Sequence, residues 1–207
     1  MTVRAVVFDI GRVLIHWEPE AAYDRWIGEA RRRALFEAVP LHDVNREIDR
    51  GAPFRATVAA LAGAYPDWSE EITYWHDRWL EMASPRIDGS VALLEALLAE
   101  GRLPVYALTN FGTETFAIAQ VHYPFLARFR EAFVSGHLKM LKPDPGIYRA
   151  VEEGTGLANE QIFFTDDSLD NIAAARARGW IAHHFDGPEG LARALARNGL
   201  LPEGTPT

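Results

Sequence analysis

Short apolar runs recur along the chain, separated by segments that have the periodicity of helices. Four of these runs predict strands buried on both faces, because each is dominated by apolar residues and is too short for a helix. They are residues 3–8, 103–108, 162–164 and a shorter run at 180–184. Strands that alternate with helices predict βα units in a parallel sheet.

Three segments between these runs have patterns typical of helices. Residues 90–99 present an apolar face and are followed by Gly101, a residue type that commonly ends a helix. A second helix is predicted over residues 145–153, with Asp144 as its N-cap and proline at its first position. The third predicted helix, residues 168–178, is rich in alanine.

The region from residue 17 to residue 84 has helical patterns but no clear strand. Five of the six tryptophans in the chain lie there: Trp17, Trp26, Trp68, Trp75 and Trp79. We interpret the region as an all-α insertion between the first strand and the rest of the sheet. Most of the tryptophans are expected to fill the core of a small bundle. Trp17, which is nearest to the first strand, is the best candidate to line a substrate pocket.

Composition and charge narrow the classes of function. The chain has 207 residues, of which 48% are hydrophobic and 24% charged, as in ordinary globular proteins. Its net charge of −8 argues against a nucleic-acid partner, because binding to phosphate backbones requires clustered Lys and Arg. A small anionic substrate remains possible, since the local charges of a site matter more than the global charge.

The absence of certain residues and segments excludes further classes. No cysteine is present, which excludes disulfides, Cys-based zinc sites and thiol nucleophiles. No apolar run approaches the roughly 20 residues that span a bilayer, so no membrane partner is expected. The N-terminus leads directly into the first apolar run without the pattern of a signal peptide. A cytoplasmic location is the expectation.

Polar residues follow three of the predicted strands at the point where each strand ends. Asp9 follows the first, Thr109 and Asn110 follow the second, and Asp166 and Asp167 lie at the end of the third. In open parallel α/β sheets the ligand site lies outside the carboxyl ends of the strands. The sequence therefore predicts that these side chains converge. Any one of them alone would be read as an ordinary turn or helix cap.

Four motifs in this order resemble those of the haloacid dehalogenase superfamily. The segment FDIGRVL, residues 8–14, is similar to the first motif, and Thr109 with Asn110 is similar to the second. KPDP, beginning at Lys142, resembles the third motif, and FFTDDSLDN, residues 163–171, resembles the acidic fourth. Their order and spacing agree over nearly the whole chain.

The resemblance implies an α/β fold with a Rossmann-like parallel sheet sandwiched by helices and an inserted all-α cap domain. Residues 1–15 and 86–207 would form the catalytic core, and residues 16–85 the helical cap. A subgroup of sugar-phosphatase-like relatives is similar in its first motif. The resemblance therefore favours a Mg²⁺-dependent phosphatase that hydrolyses a small phosphomonoester.

The resemblance also assigns roles to residues. Asp9 would be the nucleophile and would form an aspartyl-phosphate, which splits one difficult step into two. Asp9, the backbone carbonyl of Gly11 and Asp167 would bind Mg²⁺, an ion that prefers oxygen ligands. Asp166 would act through a water, although the family pattern leaves open how it shares this task with Asp167.

The remaining roles concern the substrate. Thr109, the backbone of Asn110 and Lys142 would bind the phosphate oxygens, and Trp17 would line the pocket. Arg12 is unusual in a tight turn; it is either solvated or salt-bridged, or it meets an anionic group of the substrate. The polar face of the predicted insertion helix that carries Asn45 and Asp49 is interpreted as solvated in preference to lining the pocket.

The chain departs from the family pattern at Gly11, where most phosphatases of the superfamily have an aspartate that protonates the leaving group. Such general acid–base help is typically worth about 10²–10⁴-fold. In a phosphatase that lacks this acid, His16 or a cap residue could substitute, or only good leaving groups would be cleaved quickly.

Two alternatives to a phosphatase remain open. A 2-haloacid dehalogenase would use the same nucleophile without a metal, and halide needs no proton; the adjacent Asp166 and Asp167 argue against it. A non-catalytic phosphate-binding protein is the third interpretation. The sequence does not specify which phosphate ester is the substrate, and it is compatible with an oligomer.

Overall fold

A five-stranded parallel sheet forms the centre of the molecule in the computed structural model, which describes residues 3–207. The first two residues of the predicted core segment therefore lie outside the described part. The strand order is β3-β2-β1-β4-β5. The strands are β1 (Ala5–Phe8), β2 (Val105–Thr109), β3 (Ala132–Val134), β4 (Ile162–Asp166) and β5 (Ile181–His184).

Both faces of the sheet are covered, as the continuous apolar runs predict. Successive residues of β1 belong to different clusters: Val6 and Phe8 pack on one side, and Ala5 and Val7 on the other. All residues of β1, β2 and β4 are buried. The predicted α/β fold class with a Rossmann-like parallel sheet is thereby confirmed.

Six α-helices lie between β1 and the helix that leads into β2. They are α1 (Pro19–Ile27), α2 (Glu29–Ala38), α3 (Leu41–Asp49), α4 (Phe54–Ala64), α5 (Ser69–Asp77) and α6 (Trp79–Met82). No strand occurs within residues 17–84, all of which the structure describes. Trp75 and Trp79 are buried, whereas Trp17, Trp26 and Trp68 are partly buried against the same core. We call residues 16–85 the helical insertion.

The remaining helices connect or flank the strands of the sheet. They are α7 (Asp88–Glu100), α8 (Thr113–His122), α9 (Ser135–Leu138), α10 (Pro145–Thr155), α11 (Leu169–Ala177) and α12 (Pro188–Arg197). The sequence predicts α7, α10 and α11 to within a few residues. Asp144 is the N-cap residue of α10, but its side chain makes no capping hydrogen bond. None of the helices within residues 3–207 is both long and apolar enough to cross a membrane.

Candidate active site

The carboxyl ends of the three central strands bring the predicted site residues together. β1 pairs with β2 on one side and with β4 on the other, so Asp9, Thr109 and Asp166 reach the same edge of the sheet. This edge opens into a cavity of about 490 Å³. The predicted site residues in its wall are Asp9, Gly11, Arg12, Trp17, Thr109, Asn110, Lys142 and Asp167. Asp166 lies beneath them and is completely buried.

Lys142 links two of the carboxylates. Its Nζ lies 2.8 Å from Asp9 Oδ1 and 2.7 Å from Asp166 Oδ2, and it donates a hydrogen bond to the Leu108 carbonyl at 2.9 Å. The side chain is only 1% exposed. All three N–H donors of the ammonium group are therefore used by the protein. To bind a phosphate oxygen as predicted, Lys142 would have to exchange one of these contacts.

Asn110 holds the loop that carries this lysine. Its side-chain amide donates to the Lys142 carbonyl at 3.1 Å, and its Oδ1 accepts from the Lys142 backbone N–H at 2.8 Å. Sequence reasoning assigned only the backbone of Asn110 to the site. The paired bonds show that its side chain positions Lys142, a contact between segments that no local spacing could reveal.

Asp166 and Asp167 are adjacent but differ in their surroundings. The oxygens of Asp166 accept hydrogen bonds from the Ser168 backbone at 2.8 Å and from the Asn171 side chain at 2.9 and 3.1 Å. Asp167 instead lines the cavity with 29% of its side chain exposed, and Arg12 Nη1 lies 3.9 Å from it. Asp167 is therefore the more accessible of the two to a ligand.

Burial and crowding shift the pKa values of this cluster. Burial, together with Asp166 and Asp167, raises the pKa of Asp9 to about 7 despite the opposing charge of Lys142. Burial and the Asp166 carboxylate also raise the pKa of Asp167. Burial opposes the charged form of Lys142, but the carboxylates of Asp166 and Asp9 outweigh it and raise the lysine's pKa. The cluster thus carries more negative charge than its one buried cation balances.

The donor set of the cluster fits a divalent cation. One carboxylate oxygen each from Asp9, Asp166 and Asp167 can be chosen such that all lie within 4.8 Å of one another. Carboxylate oxygens in this number are the ligands that Mg²⁺ prefers, usually completed by waters. Lys142 and the Ile10 backbone N–H both contact Oδ1 of Asp9, and no hydrogen bond from residues 3–207 engages its Oδ2. These carboxylates could therefore hold the ion.

Thr109 and Gly11 present two further features of the site. The Thr109 hydroxyl is buried and makes no hydrogen bond within the described residues. Such an unpaired polar group costs about 1–3 kcal/mol unless a ligand or a water satisfies it. Around Gly11, no heavy atom outside its chain neighbours lies within 4 Å of where a Cβ would be. The position opens into free space, so packing does not require glycine there.

Arg12 is held in an unusual conformation. Its φ of 57° lies in the left-handed region, which costs a non-glycine residue about 1–2 kcal/mol. Its guanidinium contacts the Trp17 carbonyl at 3.4 Å and remains half exposed beside Asp167. An exposed ion pair of this kind contributes little to stability. Residues held in such sparsely populated backbone conformations cluster at functional sites.

The helical insertion supplies the wall opposite the sheet. The lining residues from α3 are His42, Asn45, Arg46 and Asp49, and aromatic walls come from Trp17, Trp79 and Phe111. The interpretation of Asn45 and Asp49 as a solvated face is therefore wrong. The C-terminal end of α3 docks on the sheet edge, where the Ser135 hydroxyl donates to the Asp49 carbonyl at 2.6 Å. Polar residues that face a cavity and those that face solvent look alike in a sequence.

Comparison with known sequences identifies relatives of the chain. A model of the haloacid dehalogenase-like hydrolase family matches residues 3–179. A drimenol cyclase of Aspergillus calidoustus is 29% identical over 198 residues, which is 93% of this chain and 36% of that protein. A sesquiterpene phosphatase of Aspergillus oryzae is 32% identical over 95 residues, which is 45% of this chain and 47% of that protein. The chain thus matches less than half the length of either relative.

Comparison with solved structures shows the same fold. A HAD-family enzyme of Bacteroides thetaiotaomicron has a TM-score of 0.70 at 22% identity, with coverage of 90% of this chain and 95% of that one. An L-2-haloacid dehalogenase of Xanthobacter autotrophicus has a TM-score of 0.61 at 19% identity, with coverage of 97% and 85%. Since the family model matches most of the chain, the protein belongs to the haloacid dehalogenase-like hydrolase family.

Proposed function

We propose that this protein is a Mg²⁺-dependent phosphatase that hydrolyses a small phosphomonoester through an aspartyl-phosphate on Asp9. The observation that carries the proposal is the cluster of Asp9, Asp166 and Asp167, whose oxygens lie within 4.8 Å of one another with one buried lysine between them. Such a cluster requires a further positive charge before it can accept an anionic phosphate. Residues 16–85 act as a cap that closes the cavity over the sheet edge.

The chemistry assigned to Asp9 proceeds in two steps. Its free carboxylate oxygen forms a bond to phosphorus while the bond from phosphorus to the ester oxygen breaks, and the alcohol leaves with a proton from an acid. Water then attacks the same phosphorus, which releases inorganic phosphate and restores the carboxylate. Hydrogen bonds from the Ile10 backbone and Lys142 to Oδ1 leave the other oxygen available for the first attack.

Bound Mg²⁺ would neutralise phosphate charge and orient the ester for in-line attack. Asp9, the Gly11 carbonyl and Asp167 are the proposed direct ligands. Asp167 is preferred over Asp166 because Asp166 is completely buried and its oxygens already accept bonds from Lys142, Ser168 and Asn171. Asp166 then acts mainly by fixing Lys142 and by adding negative charge beneath the ion.

The phosphate oxygens would be bound by groups at the end of β2. The unpaired Thr109 hydroxyl and the Asn110 backbone N–H are donors of the kind that stabilises charge developing in a transition state. The polar residues of α3 that line the cavity support a substrate with a hydroxylated leaving group, as in a sugar phosphate. They are His42, Asn45, Arg46 and Asp49. The relative described as a sesquiterpene phosphatase supports phosphoester chemistry in general.

A metal-independent 2-haloacid dehalogenase is the second candidate. Gly11 favours it, because halide leaves without a proton and the missing acid would then cost nothing. The three clustered carboxylates oppose it, since a reaction without a metal does not need Asp166 and Asp167 beside the nucleophile. The two candidates differ in their dependence on metal and in the ion that they release.

Phosphate release is therefore expected to require Mg²⁺. A panel of sugar, isoprenoid and aryl phosphates would be incubated with the protein in Mg²⁺ and again in EDTA, with 2-chloropropionate and halide detection in parallel. We expect phosphate release that EDTA abolishes and renewed Mg²⁺ restores. Halide release that persists in EDTA would instead establish the dehalogenase, and no release of either ion would leave the non-catalytic interpretation.

Arg12→Gly is expected to weaken substrate binding without reducing stability by more than about 1 kcal/mol. Glycine adopts the φ of 57° without strain, which offsets its larger entropy loss on folding. Loss of one charge-assisted contact of about 1.5–3 kcal/mol raises the KM for an anionic substrate roughly 10–100-fold. Asn159→Gly, at another left-handed position outside the cavity, is the control. An unchanged KM would remove Arg12 from substrate binding.

A further inference from the structure

The proposed phosphatase needs a proton donor that the first motif does not provide. An alcohol leaves poorly as an alkoxide, so a positioned acid speeds its departure by about 10²–10⁴-fold. Gly11 has no side chain, and the space that a side chain would occupy is open. A general acid must therefore reach the cavity from another segment.

Asp49 enters the cavity from the helical insertion, at the last position of α3. Its backbone is fixed to the sheet edge, because Ser135 Oγ donates to the Asp49 carbonyl at 2.6 Å and accepts from the Phe111 N–H at 2.9 Å. Phe111 lies two residues after Thr109, in the loop that follows β2. The position of Asp49 is therefore tied directly to the segment that would bind the phosphate.

The carboxyl of Asp49 accepts hydrogen bonds but has no charged partner. Asn45 Nδ2 donates to its Oδ2 at 2.8 Å, and the Gly112 backbone donates a second bond. Asn45 is itself fixed, because Trp75 Nε1 donates to its Oδ1 at 3.1 Å. No lysine, arginine or histidine among residues 3–207 forms an ion pair with Asp49, although Arg46 from the same helix also lines the cavity.

These surroundings favour a neutral carboxyl. Burial raises the pKa of Asp49 to about 8, and the hydrogen bond from Gly112 opposes this only in part. A neutral carboxyl has one O–H to donate, and its two accepted hydrogen bonds hold the group at the cavity wall. A carboxylic acid that stays protonated near neutral pH has the property required of a general acid.

We propose that Asp49 is the general acid of this phosphatase, supplied by the insertion in place of a side chain at Gly11. The Asp49 carboxyl would donate its proton to the ester oxygen as the bond to phosphorus breaks. The resulting carboxylate would then accept a proton from the water that hydrolyses the phosphorylated Asp9, which returns Asp49 to its starting form. This inference rests on the proposed function and adds a catalytic residue to it.

The test compares leaving groups in Asp49→Asn, a substitution that preserves shape but removes the proton. p-Nitrophenyl phosphate releases a stable phenolate and needs little acid help, whereas glycerol phosphate releases an alkoxide. We expect kcat/KM for glycerol phosphate to fall about 10²–10⁴-fold and that for the aryl ester to fall far less. Glu47→Gln, on the exposed side of the same helix, is the control that should preserve the ratio.

The outcomes separate the inference from the function on which it rests. Mg²⁺-dependent hydrolysis of the aryl ester by the unmodified protein would support the phosphatase whatever Asp49 does. Equal losses on both esters in Asp49→Asn, or no loss on either, would overturn Asp49 as the acid. His16→Gln is the rival variant, since His16 lines the same cavity. A loss selective for the alkyl ester in that variant alone would also overturn the proposal.

Discussion

Asp9→Asn is expected to abolish turnover while leaving the fold intact. The amide has nearly the shape of the carboxylate but cannot form the covalent intermediate, and loss of a nucleophile typically costs several orders of magnitude in kcat. The Oδ1 of asparagine can still accept from the Ile10 backbone and from Lys142. Burial and the carboxylates of Asp166 and Asp167 already disfavour the charged form of Asp9 and raise its pKa to about 7, so we expect a neutral amide at this position to leave the protein folded.

Two measurements separate chemistry from folding in this variant. Phosphate release is followed in Mg²⁺, and acid-quenched protein is analysed by mass spectrometry for phosphate bound at residue 9. The control is Asp144→Asn, the same substitution at an exposed residue that follows the Lys142 motif outside the cavity. Undiminished turnover in Asp9→Asn, or a phosphoryl group trapped on another residue of the unmodified protein, would remove Asp9 from the mechanism.

The central strands and their polar ends could be read from the sequence because both signals are local. A strand buried on both faces must be continuously apolar, and the residue that follows it must turn at the edge of the sheet. β3 escaped prediction because its three residues, Ala132–Val134, are too few to show any pattern. The predicted polar residues nevertheless converge, since they lie at the carboxyl ends of β1, β2 and β4.

Contacts between the helical insertion and the sheet edge could not be predicted. The close approach of α3 depends on Gly112, where a Cβ would lie 2.8 Å from Ile48 Cγ2. Within the sheet edge on which α3 docks, Gly136 permits a close backbone approach in which a Cβ would lie 2.6 Å from the Thr113 nitrogen. In the sequence these glycines look like ordinary turn residues. The position of Asp49 in the cavity follows from this non-local fit and not from its own helix.

The contact between Asn171 and Asp166 could be predicted from the sequence only in part. It lies within the segment that resembles the fourth motif, but its contact with Asp166 depends on where α11 begins. Ser168 is the N-cap of that helix, and the first turn returns Asn171 toward the strand end, where it donates to both oxygens of Asp166. The sequence shows that an asparagine is present at this position, but only the geometry of the first turn of α11 shows that it binds Asp166.

Lys142→Met is expected to reduce stability as well as activity. The substitution leaves the carboxylates of Asp9 and Asp166 buried side by side without the ammonium group that lies 2.8 and 2.7 Å from them. Removal of one partner from a buried ion pair typically costs about 3–5 kcal/mol. Because Asp166 keeps its bonds from Ser168 and Asn171, we expect a folded protein with a lower free energy of unfolding.

Mg²⁺ should restore part of the free energy of unfolding that Lys142→Met loses, because a cation that binds the native carboxylates stabilises the folded form by mass action. Urea unfolding of Lys142→Met in EDTA and in Mg²⁺ measures both effects. Lys139→Met is the matched control: Lys139 is exposed and donates one hydrogen bond to the Gly51 carbonyl at 3.0 Å, so less than about 1 kcal/mol should be lost. If Lys142→Met lost no more than this control, or if Mg²⁺ stabilised neither variant, the carboxylate cluster would not need a cation. The electrostatic basis of the proposed metal site would then fail.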